Sequence, residues 1–166
     1  TRKLDGVALA LRYEGGRLAW IATRGDGHIG QDVSHARPRI CNLPTAPAFL
    51  PDRPVEIRGE CYVTPAGHGA LNRDRGHIET ARAAVAAALR ASGPCPPVLR
   101  FAAWGMADAM GAHHAADLAA LGFETVRTAP IDAPVDGTVH AVADPAARLR
   151  LGATAKAPRW AIARKF

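Results

Sequence analysis

The sequence predicts an α+β fold whose sheets are antiparallel. Short stretches typical of strands recur along the whole chain, and only a turn separates the first two, as in a hairpin. Helix-like stretches are few and fall irregularly between them. The chain has 166 residues, enough to bury a core without a metal or a disulfide. We therefore expect a single domain over residues 1–166.

The first two predicted strands form a hairpin. Residues 4–13 alternate apolar residues with small or charged ones, which is the two-residue period of a strand. Residues 14–16 form a turn, and residues 17–23 are the returning strand. The glycine-rich run that starts at Arg24 is expected to be a loop.

The middle of the chain is predicted to contain a strand followed by two helices. Residues 55–63 have the strand pattern, and residues 66–75 are predicted to form a short helix. Residues 78–91 are rich in alanine, which favours a helix, and Ser92-Gly93-Pro94 ends it. The proline-rich residues 38–54 are predicted to form a long connection within the domain.

In the last part of the chain, predicted strands are interspersed with predicted helices. The predicted strands are residues 98–104, 123–127, 137–142 and 160–166. The predicted helices are residues 113–121, which stop at Gly122, and residues 144–151.

The charge balance favours a polyanionic partner. Lys and Arg number 21 against 15 Asp and Glu, which gives a net charge of +6. Such an excess is typical of proteins that bind nucleic acid or nucleotide phosphate, but a solvated, arginine-rich surface explains it equally well. No apolar run approaches the roughly 20 residues of a membrane span, which excludes an integral membrane protein.

The cysteines and histidines predict no metal site. Three cysteines are an odd number without metal-ligand spacing, so we expect reduced, structural thiols in a cytoplasmic protein. The pair His113-His114 falls on a predicted helix and has no evident third ligand. The sequence has no start methionine and opens inside an apolar pattern, so we expect a fragment.

The tetrapeptide Lys3-Leu4-Asp5-Gly6 is a candidate for covalent chemistry. A lysine amine that has lost its proton can attack an electrophile, although a solvated lysine beside a turn has the same pattern. Three further blocks accompany it along the chain. They are ATRGDG at residues 22–27 with Gly30 and Asp32, EIRGE at residues 56–60, and KAPRWAIA at residues 156–163 with Lys165-Phe166.

These four blocks, in this order, resemble the adenylation (nucleotidyltransferase) domain of bacterial NAD-dependent DNA ligases. The resemblance covers nearly the whole chain. It implies the nucleotidyltransferase fold of ATP-grasp-like ligases, with antiparallel sheets flanking a nucleotide cleft. It also implies that Lys3, Arg24, Glu60 and Lys165 converge on that cleft.

The resemblance implies a role for each matching residue. Lys3 would take AMP as a phosphoramidate, and Lys165 would meet the phosphate. The residues implied as catalytic are Lys3, Asp5 and Lys165. The residues implied to bind the nucleotide are Leu4, Arg24, Glu60 and Lys165. Negative charge that builds on the phosphate oxygens needs such cations.

The implied partners are a nucleotide and nicked double-stranded DNA, with no membrane. Arg82 and Arg90 fall where the family has arginines on a helix that approaches the DNA. Eight residues place them within roughly 80° of each other around a helix. NAD would donate AMP, and Mg²⁺ would share in stabilising the phosphate charge. We expect a cytoplasmic monomer that serves DNA replication and repair.

The sequence departs from the family at several motif positions. Thr1 replaces a glutamate that helps read the adenine, and Thr80 and Ala83 replace asparagines. Residues 136–141 read DGTVHA where the family has DGVVIK, so the motif lysine aligns with Ala141, which cannot donate a charge-assisted hydrogen bond. The family's nicotinamide-recognition, oligonucleotide-binding, zinc and helix-hairpin-helix regions fall outside these residues.

Three functions remain open from the sequence. The first is an NAD-dependent DNA ligase adenylation domain that forms lysyl-AMP for sealing 5′-phosphate/3′-hydroxyl nicks. The second is an impaired pseudo-ligase module that binds nucleotide or DNA, which Ala141 and Thr1 favour. The third is a nucleotidyltransferase of the same fold with another donor.

Overall fold

A computed structural model describes residues 1–25, 29–44, 47, 54–108, 113–114, 118–152, 154 and 158–166. Within these residues the strands are β1 (Arg2–Leu4), β2 (Val7–Glu14), β3 (Arg17–Thr23), β4 (Val55–Val63), β5 (Leu99–Asp108), β6 (His113–His114), β7 (Val135–Ala141) and β8 (Ala161–Lys165). The helices are α1 (Pro65–Arg75), α2 (Ala81–Arg90) and α3 (Pro145–Leu151), with a 3₁₀ helix over Ser34–Arg39. None of these helices is long and apolar enough to cross a membrane.

The larger sheet has the strand order β3-β2-β4-β5-β6, and its neighbouring strands are antiparallel. Gly15 and Gly16 make the tight turn between β2 and β3 at φ angles of 53° and 72°. Such positive angles suit glycine because it has no Cβ. The strands predicted at residues 17–23 and 55–63 are confirmed with the same bounds.

The main core lies on one face of the larger sheet. Leu11 and Ile57 of the sheet pack with Val85 and Leu89 of α2, all fully buried. Each such aliphatic side chain contributes roughly 1.5–3 kcal/mol by leaving water. Helices α1 and α2 therefore lie against this face of the sheet.

Threonine caps set where α1 and α2 begin, and Asp144 caps α3. Thr80 accepts a hydrogen bond from the backbone N–H of Ala83 at 3.1 Å, so α2 begins three residues after the start predicted at residue 78. The helices predicted at residues 66–75 and 144–151 are confirmed to within one residue as α1 and α3.

The smaller sheet has the strand order β1-β7-β8 and is also antiparallel. The strand predicted over residues 4–13 is confirmed over residues 7–13 as part of β2, but it does not extend back to Leu4, which belongs to β1 in the other sheet. A Cβ on Gly6 would lie 2.0 Å from the carbonyl oxygen of Cys61, so only glycine lets the chain pass here. The apolar pattern carries no sign of this break.

A small apolar cluster joins the two sheets. Its buried members are Leu4, Tyr62, Ala102, Ala129 and Ala133. Tyr62 follows the core residue Cys61 along β4, so its side chain points away from the main core. Glu60 shares this second face with Tyr62, and β1 is therefore anchored beside Glu60.

The helix predicted at residues 113–121 is wrong over the described residues. His113–His114 form β6 and pair with Met106 and Ala107 of β5. Residues 118–122 form turns, and residues 115–117 lie outside the described part. At His113–His114, strand pairing therefore replaces the predicted helix.

The strand predicted at residues 123–127 is also wrong. Among the described residues it forms one isolated bridge, between Thr125 and Ala103. The hydroxyl of Thr128 accepts the backbone N–H of Thr125 at 2.9 Å, and such local bonds compete with strand pairing. The other strands predicted in this part are confirmed, with shifted ends, as β5, β7 and β8.

Candidate functional site

Two lysines from opposite ends of the chain flank one glycine in the smaller sheet. Lys3 on β1 pairs with Gly137 on β7, and Gly137 pairs with Lys165 on β8. A Cβ on Gly137 would lie 2.1 Å from the carbonyl oxygen of Arg164, so the position requires glycine. No side chain therefore stands between the two lysines.

The carboxylate of Asp136 contacts both lysines. Lys3 Nζ lies 2.6 Å from Oδ1, and Lys165 Nζ lies 3.1 Å from Oδ2. The hydrogen bonds from Lys3 and then from Lys165 hold the pKa of Asp136 below its ordinary value. The side chain of Lys3 is 23% exposed and that of Lys165 is 69% exposed, so Lys3 is the more enclosed of the two.

Glu60 lies in a row of residues that runs across the larger sheet. The backbone N–H of Arg24 donates to the carbonyl of Ala8 at 3.1 Å. Ala8 on β2 pairs with Glu60 on β4, and Glu60 pairs with Ala102 on β5. The carboxyl group of Glu60 is thus flanked by two methyl side chains.

Three cations from separate parts of the chain act on Glu60. Burial raises the pKa of Glu60 to about 7, and the positive charges of Arg82, Lys3 and Arg24 oppose this rise. Glu60 therefore titrates near neutral pH. As a carboxylate it accepts hydrogen bonds, and as an acid it can donate one.

The beginning of α2 meets the site at Asp5. Arg82 Nη1 lies 3.5 Å from Asp5 Oδ1, and the side chain of Arg82 is 56% exposed. Four cations and three carboxyl groups thus belong to one constellation. They are Lys3, Arg24, Arg82 and Lys165 with Asp5, Glu60 and Asp136. The excess of cations suits a phosphate group, whose oxygens form strong charge-assisted hydrogen bonds.

Some of the predicted residues lie elsewhere. Arg90 ends α2, about 12 Å from Arg82 along the helix axis. The side chain of Leu4 is 4% exposed in the small apolar cluster, which leaves its backbone as the part that can meet a ligand. The motif residues outside the described part are Asp26, Gly27, Lys156 and Ala157.

Position 141 carries no charge in the folded chain. Ala141 ends β7 and pairs with Ala161 of β8. His140 points to the other face of the strand, where its Nε2 lies 3.1 Å from Thr138 Oγ1. His140 therefore does not take the place of the missing lysine.

The motifs did not single out Asp136, whose carboxylate contacts Lys3 and Lys165, or the exposed Trp104. In the sequence, Asp136 is marked only by the Asp-Gly pair that begins the block at residues 136–141. Trp104 is 42% exposed on β5, where the register with β4 shifts between Arg58 and Gly59. An exposed ring near the Glu60 row can stack on a base, but the sequence does not distinguish it from a core aromatic.

The described residues contain no group of three or more His, Cys, Asp or Glu side chains placed to hold a metal ion. Asp32, next to the glycine-rich loop, accepts the backbone N–H of Ser34 at 2.7 Å. Hydrogen bonds from the side chain and then from the backbone N–H of Ser34 lower the pKa of Asp32.

Comparison with known proteins identifies the family. A family model described as the NAD-dependent DNA ligase adenylation domain matches residues 1–117. A DNA ligase of Cereibacter sphaeroides is 39% identical, and the match covers 99% of this chain and 28% of the ligase. The DNA ligase of Paracoccus denitrificans is 35% identical, with 99% and 26% covered. The chain spans about a quarter of the length of these relatives.

The chain therefore belongs to the NAD-dependent DNA ligase adenylation domain family. This membership confirms the resemblance carried by the sequence motifs.

Proposed function

We propose that Lys3 takes AMP from NAD as a lysyl-AMP intermediate, which then serves to seal 5′-phosphate/3′-hydroxyl nicks in DNA. The observation that carries this proposal is the row Lys3–Gly137–Lys165, joined by the carboxylate of Asp136. It sets the candidate nucleophile beside a second cation, in a chain of the adenylation domain family.

In the proposed reaction the amine of Lys3 is the nucleophile. After it releases a proton, Nζ attacks the α-phosphorus of NAD. A nitrogen–phosphorus bond forms while the phosphorus–oxygen bond to nicotinamide mononucleotide breaks, and that mononucleotide leaves with the electron pair. Lys165 stabilises the negative charge that develops on the phosphate oxygens. Asp136 orients both lysines through its two oxygens.

The proposed contacts to the rest of the nucleotide involve the larger sheet. The carboxylate of Glu60 accepts a hydrogen bond from a ribose hydroxyl, and Arg24 contacts the adenylate. The exposed ring of Trp104 stacks on the adenine. On one side of Glu60 the small side chain of Ala8 leaves room for a ligand to approach the sheet, whereas Ala102 on the other side is fully buried.

We propose that Mg²⁺ reaches the site with the phosphates of the nucleotide. Magnesium ions usually keep several waters and bind through one or two carboxylates together with substrate phosphates. The ion would add positive charge next to the phosphate. Asp5 and Asp136 are the carboxylates near Lys3 that fit such a role.

DNA is the proposed acceptor of AMP. The net charge of +6 and the exposed Arg90 at the end of α2 support contact with DNA phosphates. Such a reaction serves DNA replication and repair, and we place it in the cytoplasm with the protein acting as a monomer.

A second candidate function is a module that binds nucleotide or DNA without efficient AMP transfer. The pairing of Ala141 with Ala161 favours it, because neither residue can donate to a phosphate. Loss of one such donor typically lowers a rate by about 10²–10³.

Incubation with labelled NAD distinguishes AMP transfer to Lys3 from binding without transfer. The chain is incubated with Mg²⁺ and NAD labelled in its adenylate half, and covalent label is followed on a denaturing gel. The proposal expects label on the unsubstituted protein, even at low yield, and none on Lys3→Arg. Nucleotide binding without any covalent label in either protein would favour the second candidate.

A further inference from the structure

We infer that Arg82 binds the phosphate of the nucleotide, and that it supplies positive charge which Ala141 does not. The inference rests on the proposed function and names one more residue of its phosphate site. It gives Arg82 a different role from Arg90, whereas the family resemblance implies that both arginines contact DNA.

Contacts at the start of α2 support this assignment. Arg82 Nη1 lies 3.5 Å from Asp5 Oδ1, and Asp5 follows the candidate nucleophile Lys3 by two residues. Among the cations that oppose the raised pKa of Glu60, Arg82 acts more strongly than Lys3 or Arg24. The guanidinium of Arg82 therefore lies among the carboxyl groups of the site.

The geometry of α2 argues against one shared role for its two arginines. Arg82 is the second residue of the helix and Arg90 is the last. Eight residues separate them by about 12 Å along the axis and roughly 80° around it. A phosphate that is bound beside Asp5 is thus out of reach of Arg90.

The chemistry of the guanidinium fits a phosphate ligand. Its planar set of donors can contact two phosphate oxygens at once, which a lysine cannot do. More than half of the Arg82 side chain is exposed, so a ligand can reach it. The 3.5 Å contact to Asp5 is long for a charge-assisted hydrogen bond, and a phosphate can replace it.

Calorimetric titration with AMP and with adenosine tests the assignment, because the two ligands differ only in the phosphate. We expect Arg82→Gln to weaken AMP binding about 10- to 100-fold and to leave adenosine binding unchanged. Arg82→Lys should recover part of the loss. The control is Arg73→Gln, which removes an exposed arginine from α1 and should change neither affinity.

Three results would overturn the inference. Equal weakening of AMP and adenosine would mean that Arg82 supports the fold. Unchanged AMP binding together with weaker binding of a nicked duplex would assign Arg82 to DNA. If the unsubstituted chain bound neither ligand, the proposed function would fail along with the inference, whereas the first two results leave the proposed function intact.

Discussion

Asp136 is the described carboxylate that contacts both Lys3 and Lys165. We expect Asp136→Asn to lower the free energy of unfolding at pH 7 by about 1 kcal/mol, as for partly exposed ion pairs. The pKa of Asp136 is lowered in the folded state, so its contribution is present at neutral pH and is lost as the pH falls through that pKa. Urea denaturation at pH 7 and pH 3 measures the difference.

The matched control for Asp136 is Asp132→Asn, because Asp132 is exposed. It should change the free energy of unfolding by less than about 0.5 kcal/mol at either pH. A loss for Asp136→Asn that persisted unchanged at pH 3 would show that the ion pairs are not its cause.

The contribution of Glu60 to the free energy of unfolding is expected to change with pH in the opposite direction to that of Asp136. The pKa of Glu60 is raised to about 7 from the ordinary value of 4.5, so the folded state binds the proton more tightly than the unfolded state does. Ionisation of Glu60 therefore destabilises the fold as the pH rises from 4.5 to 7, by roughly 3 kcal/mol in total. We expect Glu60→Gln to be more stable than the unsubstituted protein at pH 8.

Denaturation at several pH values measures this effect. The advantage of Glu60→Gln should shrink toward pH 5 and nearly vanish at pH 4, because Glu60 is then protonated. The same comparison for Glu79→Gln is the control, since Glu79 is exposed. If Glu60→Gln were more stable than the unsubstituted protein by the same amount at every pH, ionisation of Glu60 would not be the cause.

The sequence singled out Lys3, Glu60 and Lys165 as candidate site residues because each lies in a recognisable motif. It did not reveal that Asp136 joins two of them. That contact depends on Gly137, which lets β7 carry Lys3 on one side and Lys165 on the other. A pairing between residues at opposite ends of the chain is a property of the sheet and has no local signal.

At the level of elements, α2 is held at its end by a buried arginine. Arg39 is 7% exposed, and it donates to the carbonyls of Ala88 at 2.7 Å and Gly93 at 2.8 Å. Its positive charge also suits the negative end of the helix dipole. We expect Arg39→Met to lower the free energy of unfolding by about 2–3 kcal/mol, because the buried carbonyl of Ala88 and the partly buried carbonyl of Gly93 lose a charged donor.

Chemical denaturation of Arg39→Met and Arg37→Met tests this expectation. Arg37 lies on the same 3₁₀ helix but is exposed, so its substitution should cost less than about 0.5 kcal/mol. An equal loss of unfolding free energy in both variants would contradict the claim that Arg39 stabilises the end of α2.

Predictions of elements succeeded where one face of a strand or helix enters the core. The strand predicted at residues 55–63 and the helix at residues 66–75 had such a face, and both are confirmed. The helix predicted at residues 113–121 failed at His113–His114, because these two residues pair as β6 with β5. The break between β1 and β2 at Gly6 was not predicted either, since it depends on close approach to Cys61 in another strand.

For the whole molecule, the net charge of +6 predicts salt-dependent binding to nicked DNA. Each contacted phosphate lowers the slope of log K against log salt by about 0.9. We expect affinity to fall steeply with salt, and Arg90→Gln to make the slope shallower by about one unit. Fluorescence anisotropy with a nicked duplex measures both. Affinity that did not change between low and high salt would contradict the assignment of DNA as a partner.

The central claim is that Lys3 accepts AMP in a site that lacks the family's motif lysine at position 141. Peptide mapping by mass spectrometry, after timed incubation with NAD and Mg²⁺, tests it most directly. The unsubstituted chain and Ala141→Lys are compared. We expect slow, incomplete addition of AMP to Lys3 in the unsubstituted chain, and faster addition at the same residue in Ala141→Lys. Rapid, complete addition without the substitution, addition at another residue, or no addition in either protein would contradict the account.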